Sequence, residues 1–178
     1  MSAGVIYSIV RASIRHIRPM SEVMRPASAA AVQGYGFNPR TGLRRAFTSS
    51  FHCRTALVDG KPVAMWGVAG TLLGDTANVW LVLSAAAQKM PRAVLREAKA
   101  ELEQTMRYYG AVVTTVLPDD AASVRFAIHL GFRGATEDGE NESIDDDIQR
   151  DILANPKYRI PLGDSYAIRL GYQPREVR

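Results

Sequence analysis

Two rhythms of apolar residues run through the chain, one of period two and one of period near three and a half. They divide it into predicted strands and helices. Residues 5–10, rich in Val and Ile, read as a first strand. Residues 12–32 carry a helical signal broken at Pro19 and Pro26, neither of which can donate a helix-interior hydrogen bond. The run Gly34-Tyr35-Gly36-Phe37-Asn38-Pro39 stops that region. Asn38 and Pro39 then suit the cap and first position of a short helix reaching about Ser50, with Leu43, Phe47 and Phe51 spaced four apart on one face. A hairpin follows, with arms at 53–58 and 62–72 around Asp59-Gly60, a dipeptide that favours positive φ and a tight reversal. Gly74-Asp75 marks a second reversal before a strand at 77–83.

Pro91 fits the first turn of a helix running to about Tyr109, with a stripe of Val94, Leu95, Ala98, Leu102, Met106 and Tyr109 and Gly110 as its C-cap. The run 111–117, apolar but for the hydroxyls of Thr114 and Thr115, reads as a central strand buried on both faces. Residues 119–130 lead into Gly131-Phe132 as a last helix. This order predicts an α/β domain over 1–133, with a mixed, mostly antiparallel central sheet flanked by helices. Residues 134–154 are acidic and poor in large apolar side chains, with Ile144 and Ile148 four apart, and read as a linker or short helix. Residues 155–178 form an irregular C-terminal extension carrying Tyr158, Ile160, Leu162, Tyr166, Ile168, Leu170 and Tyr172 among prolines and glycines. That is too apolar for a plain disordered end. It either packs back on the domain or docks on another chain, and docking is the reading we favour, with other proteins or a second copy as the partner.

Charge adds an asymmetry. Residues 1–133 carry 16 Lys and Arg against 8 Asp and Glu, whereas residues 134–178 carry 6 against 10, within a net charge of +4. A basic body suits an anionic cofactor, an acidic partner or non-specific nucleic-acid contact. No nucleic-acid recognition motif accompanies it. The single cysteine, Cys53, excludes an internal disulfide framework and a cysteine-based zinc cluster, and its place in a predicted strand makes it a buried thiol. No metal site is assigned. No apolar run approaches the roughly 20 residues that span a bilayer, and Arg11, Arg15 and Arg18 interrupt any signal-peptide core, so synthesis and retention in a cytoplasm are expected.

Asp59-Gly-Lys-Pro-Val-Ala-Met-Trp-Gly-Val68 and Leu130-Gly-Phe132, taken with the order of elements over residues 5–132, resemble the GCN5-related N-acetyltransferase family. The resemblance implies acetyl-CoA as cofactor, with its pyrophosphate in a loop of the form Arg/Gln-x-x-Gly-x-Gly/Ala between the fourth strand and the next helix. Glycines serve there because backbone N–H groups must approach the phosphates closely at a helix N-terminus. The matching segment, residues 85–92, contains no glycine, and Pro91 removes one N–H donor. Gln88, Lys89, Met90 and Arg92 are what it offers a pyrophosphate. The family's proton-donating tyrosine, in a helix ending Tyr-x-x-x-Gly-Phe, is matched by Ala127, and His129 falls on another helical face. The strands at 62–72 and 77–83 hold no Glu, Asp or His as a general base. Asp75 lies in a turn, and His52 and His16 sit at element ends.

No catalytic residue is therefore assigned, and these positions lean away from an enzyme and towards a scaffold without a cofactor. A second likeness agrees with that leaning. Ile9-Val-Arg-Ala-Ser13, a Met-Arg-Pro segment, the Gly34–Pro39 loop and Val79-Trp-Leu-Val82 are similar to acetyltransferase-like proteins of tailed, especially short-tailed, bacteriophages. This likeness implies a structural or assembly protein of the virion, made in the host cytoplasm, with other virion proteins as partners through the tail. The alternative is an active acetyl-CoA-dependent N-acetyltransferase acting on a protein or small amine.

Overall fold

The computed structural model describes residues 6–70, 74–89, 92–134, 156–162 and 165–172. It contains five α-helices and eight strands among these residues: β1 (Tyr7–Arg11), α1 (Ile14–Val23), α2 (Pro26–Gly34), α3 (Pro39–Ser49), β2 (Ser50–Val58), β3 (Lys61–Gly70), β4 (Thr76–Leu83), α4 (Arg92–Met106), β5 (Ala111–Val116), α5 (Ala121–Leu130), β6 (Phe132–Gly134), β7 (Arg159–Leu162) and β8 (Ser165–Tyr172). The strands follow the order β1-β2-β3-β4-β5-β8-β6, with β7 paired to β8. All the described pairings except the parallel β4–β5 ladder are antiparallel. The expected mixed, mostly antiparallel sheet with helices is thus present. The chain forms two compact units: Met1–Gly70 with Val79–Val94, and Thr71–Asn78 with Leu95–Arg178.

In the first unit the β2–β3 hairpin turns at Asp59 and Gly60, whose φ angles of 48° and 75° are those that the Asp-Gly pair predicts. Asp59 also ties the hairpin to the chain start. It accepts the Ile6 N–H at 3.2 Å and donates its own N–H to the Ile6 carbonyl at 2.8 Å. Pro39 opens α3, and the Asn38 side chain accepts the Thr41 N–H at 2.9 Å, as the cap expectation had it. Pro26 likewise opens α2. Pro19, however, lies inside α1 rather than ending it. The lost hydrogen bond and ring clash cost about 3 kcal/mol. Full burial of Ile17 and Met20, at roughly 1.5–3 kcal/mol each, offsets that cost. These two join Ala12, Leu43, Cys53, Met65 and Val82 in one apolar cluster, and Cys53 is the buried thiol expected. A second cluster holds Ala56, Val63, Ala64 and Trp66.

α3 ends at Ser49, in keeping with the expected end near Ser50, but Phe51 does not continue its apolar face. The chain turns extended at Ser50, so Phe51 lies on β2 and is 56% exposed.

In the second unit Val112, Val124, Phe132, Leu170 and Tyr172 are buried. Residues 112 and 113 of β5 are buried as expected, while the remaining positions are half-buried. Gly131 caps α5 in the left-handed conformation at φ 111°. Gly110 does not play that part for α4. The helix ends at Met106 through turns from Arg107, Tyr108 and Tyr109, and Gly110 has no positive φ.

The largest departure concerns the tail. β8 pairs with β5 on one side (Val113 opposite Gly171, Val116 opposite Ile168) and with β6 on the other (Phe132 opposite Tyr172). Leu170 and Tyr172 are therefore interior residues of this chain's own sheet, with the Tyr172 ring 5.5 Å from that of Phe132. They are not available to dock on a partner. Ile160 on β7 is half-buried, and β7 pairs with β8 from Arg159 to Leu162. By backbone, Tyr158 ends a 3-10 turn, Leu162 ends β7, and Tyr166 and Ile168 lie on β8. Residues 135–155, which include the acidic segment and Ile144 and Ile148, lie outside the described residues.

Candidate functional site

Within the first unit the segment that would meet a pyrophosphate follows directly from β4. After Leu83 the chain makes an isolated bridge between Ser84 and Met24. It then winds into a 3-10 turn over Ala85–Lys89, and α4 begins at Arg92. The Ala87 N–H closes on the Ser84 carbonyl at 3.1 Å. Gln88 and Lys89 thus belong to the turn, Arg92 is the first residue of α4, and Met90 lies outside the described residues. The backbone here is not the open glycine nest of the family's loop. It is nonetheless a helix start. The first N–H groups of the 15-residue α4 have no intrahelical acceptor, the helix dipole adds partial positive charge, and its first turn contains no acidic residue. An anion at this end would meet no carboxylate of the first turn.

The floor of this segment is tightly tied. Ser84 donates its N–H to the Val63 carbonyl at 2.8 Å, and Arg25 donates its N–H to the Leu83 carbonyl at 2.9 Å. The Arg25 Nε reaches the Ser28 hydroxyl at 3.3 Å. Among the described residues the Ser84 hydroxyl, 3% exposed as a residue, has no hydrogen-bond partner, a state that costs roughly 1–3 kcal/mol in a buried position. Trp80, earlier on β4, donates its indole N–H to the Ser50 hydroxyl at 2.8 Å and packs where Gly67 leaves room. Sequence reasoning missed Arg25, Ser28 and Ser84 because the bonds that join these segments, such as that from the Leu83 N–H to the Ser28 hydroxyl across 55 residues, leave no local pattern.

In the second unit the β4–β5 ladder runs only from Thr76–Ala111 to Asn78–Val113. Asp75 is a turn residue, as expected, with its carbonyl accepting the Ala111 N–H at 2.9 Å. Asp120 caps α5 through the Ser123 N–H. Ala127 is buried on the inner face of α5, and His129 is exposed. No side-chain acid thus stands at position 127. Tyr172 keeps its phenol proton above the ordinary range, because burial and then the Glu103 charge oppose ionisation.

Back in the first unit, His16 is held rather than poised. Its Nδ1 accepts the Ser13 N–H at 3.3 Å and lies 3.0 Å from the Thr55 hydroxyl, and burial lowers its pKa. His52 is half-buried on β2. Among the described residues no group of three or more His, Cys, Asp or Glu is arranged to hold a metal ion, and no helix is long and apolar enough to cross a membrane.

The architecture around this segment matches solved acetyltransferases over nearly their whole length. The chain has the fold of the GCN5-related N-acetyltransferases. It superposes on the ribosomal-protein-S18-alanine N-acetyltransferase of Escherichia coli with a TM-score of 0.56 and 15% identity, covering 97% of this chain and 99% of that one. It superposes on AAC(6')-Ib, solved with ribostamycin and coenzyme A, with a TM-score of 0.58 and 10% identity, covering 95% and 94%. The corresponding figures for a GNAT-family acetyltransferase of Bacillus anthracis are 0.57, 13%, 93% and 92%. No family model matches the chain, and no curated protein matches it in sequence. These findings correct the leaning away from an enzyme drawn from the glycine-free loop and Ala127. Several structures that share this fold end to end are acetyltransferases, some solved with coenzyme A or acetyl-CoA. None of these structures is that of a bacteriophage protein.

Proposed function

We propose that the chain is an acetyl-CoA-dependent N-acetyltransferase whose acceptor is a protein or a small amine. The observation that carries this reading is the end-to-end match in fold to acetyltransferases. The acid-free N-terminus of α4, directly after β4, supports it. Acetyl-CoA would bring a thioester whose acyl carbon forms a C–N bond with a neutral amine as its C–S bond breaks, the amine's proton leaving with the thiol. The chain's own part is to bind and orient. Backbone N–H groups at the start of α4, with the cationic Lys89 and Arg92, suit the pyrophosphate. With Ala127 where a phenol would stand, the side chain at that position delivers no proton, and the proton the amine gives up would reach the departing sulfur by way of solvent.

Isothermal titration calorimetry with acetyl-CoA, paired with a thiol-release assay over an amine and peptide panel, tests this. Binding is expected, weakened at least about tenfold in a Lys89→Ala/Arg92→Ala variant that loses two charged donors. Absence of binding at millimolar acetyl-CoA, with no thiol release, would overturn it. The local similarity to tailed-phage proteins at Ile9–Ser13, Gly34–Pro39 and Val79–Val82 supports a virion as the setting of this activity. Mass spectrometry of purified particles checks that, and consistent absence from them removes it.

A further inference from the structure

The first compact unit, Met1–Gly70 with Val79–Val94, carries nine Arg and two Lys against one Glu and one Asp. Both acids are engaged. Glu22 pairs with Arg18 at 2.9 Å, and Asp59 caps the Ile6 N–H. Between Val23 and Val58 there is no acidic residue at all. This stretch includes α3, whose inner face buries Leu43 and whose outer face presents Arg40, Arg44 and Arg45, all exposed. Arg40 and Arg44 stand one turn apart on the same side, a like-charge spacing that weakens an isolated helix. Arg45 lies over the Phe37 ring, 4.6 Å from its centroid. Two large exposed rings flank the helix in sequence, Tyr35 at 50% exposure before it and Phe51 at 56% after it.

Several other polar groups of α3, though exposed, are engaged within the helix itself. The hydroxyls of Thr48 and Ser49 donate to carbonyls of α3 itself, and the Asn38 side chain is spent on the cap. What α3 leaves to solvent is guanidinium charge, with aromatic surface in the segments on either side. It offers neither a strand edge nor a ring of side-chain amides with which to read a peptide main chain or base edges. We infer that α3 and its flanks are a docking surface for single-stranded nucleic acid, bound through phosphates by Arg40, Arg44 and Arg45 and through stacking by Tyr35 and Phe51, without sequence preference. The inference is independent of acyl transfer, and failure of either leaves the other intact.

Fluorescence anisotropy of a labelled oligothymidylate of about 20 nucleotides, titrated with the full chain across a salt series, tests it. The expected result is affinity falling steeply with salt. In Arg40→Ala/Arg44→Ala/Arg45→Ala the log–log slope should become shallower by about 2. Tyr35→Ala/Phe51→Ala should weaken binding at least about fivefold while leaving the slope unchanged. Arg40→Gln/Arg44→Gln keeps the Arg45–Phe37 contact, serves if the triple variant fails to fold, and should lose about 1.4 in slope. Absence of binding at low salt overturns the proposal, as does retention of the wild-type slope in the folded variants. Equal competition by polyglutamate overturns it too, because the partner would then be an acidic polypeptide.

Discussion

Gly67 on β3 shows how far a single methyl group can matter here. A Cβ at this position would stand 2.7 Å from the Cys53 sulfur and 2.8 Å from Cζ2 of Trp80, closer than real contacts allow. Gly67→Ala is expected to cost about 1–3 kcal/mol through overpacking, seen as a lower denaturant midpoint with an unchanged slope. His16 makes a pH prediction. Its folded pKa lies below the ordinary 6.5 because burial disfavours the charged ring. The unfolded chain therefore binds the proton more readily, so the stability His16 contributes is present above pH 6.5 and is lost as pH falls below it. Thermal melts at pH 7.5 and 5.5 should show a larger drop for the native chain than for His16→Asn. At this scale the sequence was readable where chemistry is local. Asn38 was recognisable as a cap and Cys53 as a buried thiol. The His16–Thr55 contact, spanning 39 residues, carried no local signal.

Elements with a turn signature were equally legible. The hairpin around Asp59-Gly60 and the Asn38-Pro39 start of α3 stand where they were expected. The proline penalty that predicts a break in α1 is visible in sequence, while the burial of Ile17 and Met20 that overcomes it is not. The tail failed differently. Tyr166, Ile168, Leu170 and Tyr172 alternate with period two, the mark of a strand, yet Pro156, Pro161, Gly163, Gly171 and Pro174 in and around the run favour an irregular reading. Leu170→Ala should cost about 2–5 kcal/mol, since the side chain is fully buried. A chemical denaturation curve measures this, and a cost near zero would mean that β8 is dispensable.

For the whole molecule, the order of elements was enough to give the fold. The glycine-free loop and Ala127 pointed away from activity, and the end-to-end match to acetyltransferases corrected that leaning. The reason is physical. A phosphate can be held by the N-terminus of a helix whether or not glycines precede it, so counting glycines underestimates what the backbone offers. If acetyl-CoA binds, it must also stabilise. At about 100 times its dissociation constant the gain is about 2.7 kcal/mol, or roughly 5–10 °C in melting temperature for a chain of this size. Differential scanning calorimetry with and without acetyl-CoA reads that shift directly, and an unchanged melting temperature at millimolar concentration counts against the proposed activity.

The position of β8 has one more consequence, which concerns the order in which the chain is made. β5 and β6 leave the ribosome before the strand that belongs between them, and Val113 must wait for Gly171. Until then an edge of β5, with Val112, Val113 and Val116, and an edge of β6, with Phe132, stand unpaired while the local β2–β3 hairpin is already able to close. Late insertion of a distant strand is slow and leaves such edges open to wrong partners. Growing cells are therefore expected to produce this protein best under conditions that slow synthesis or supply chaperones, and the aggregates formed otherwise should consist of chains whose first hairpin is formed and whose last interior strand is not.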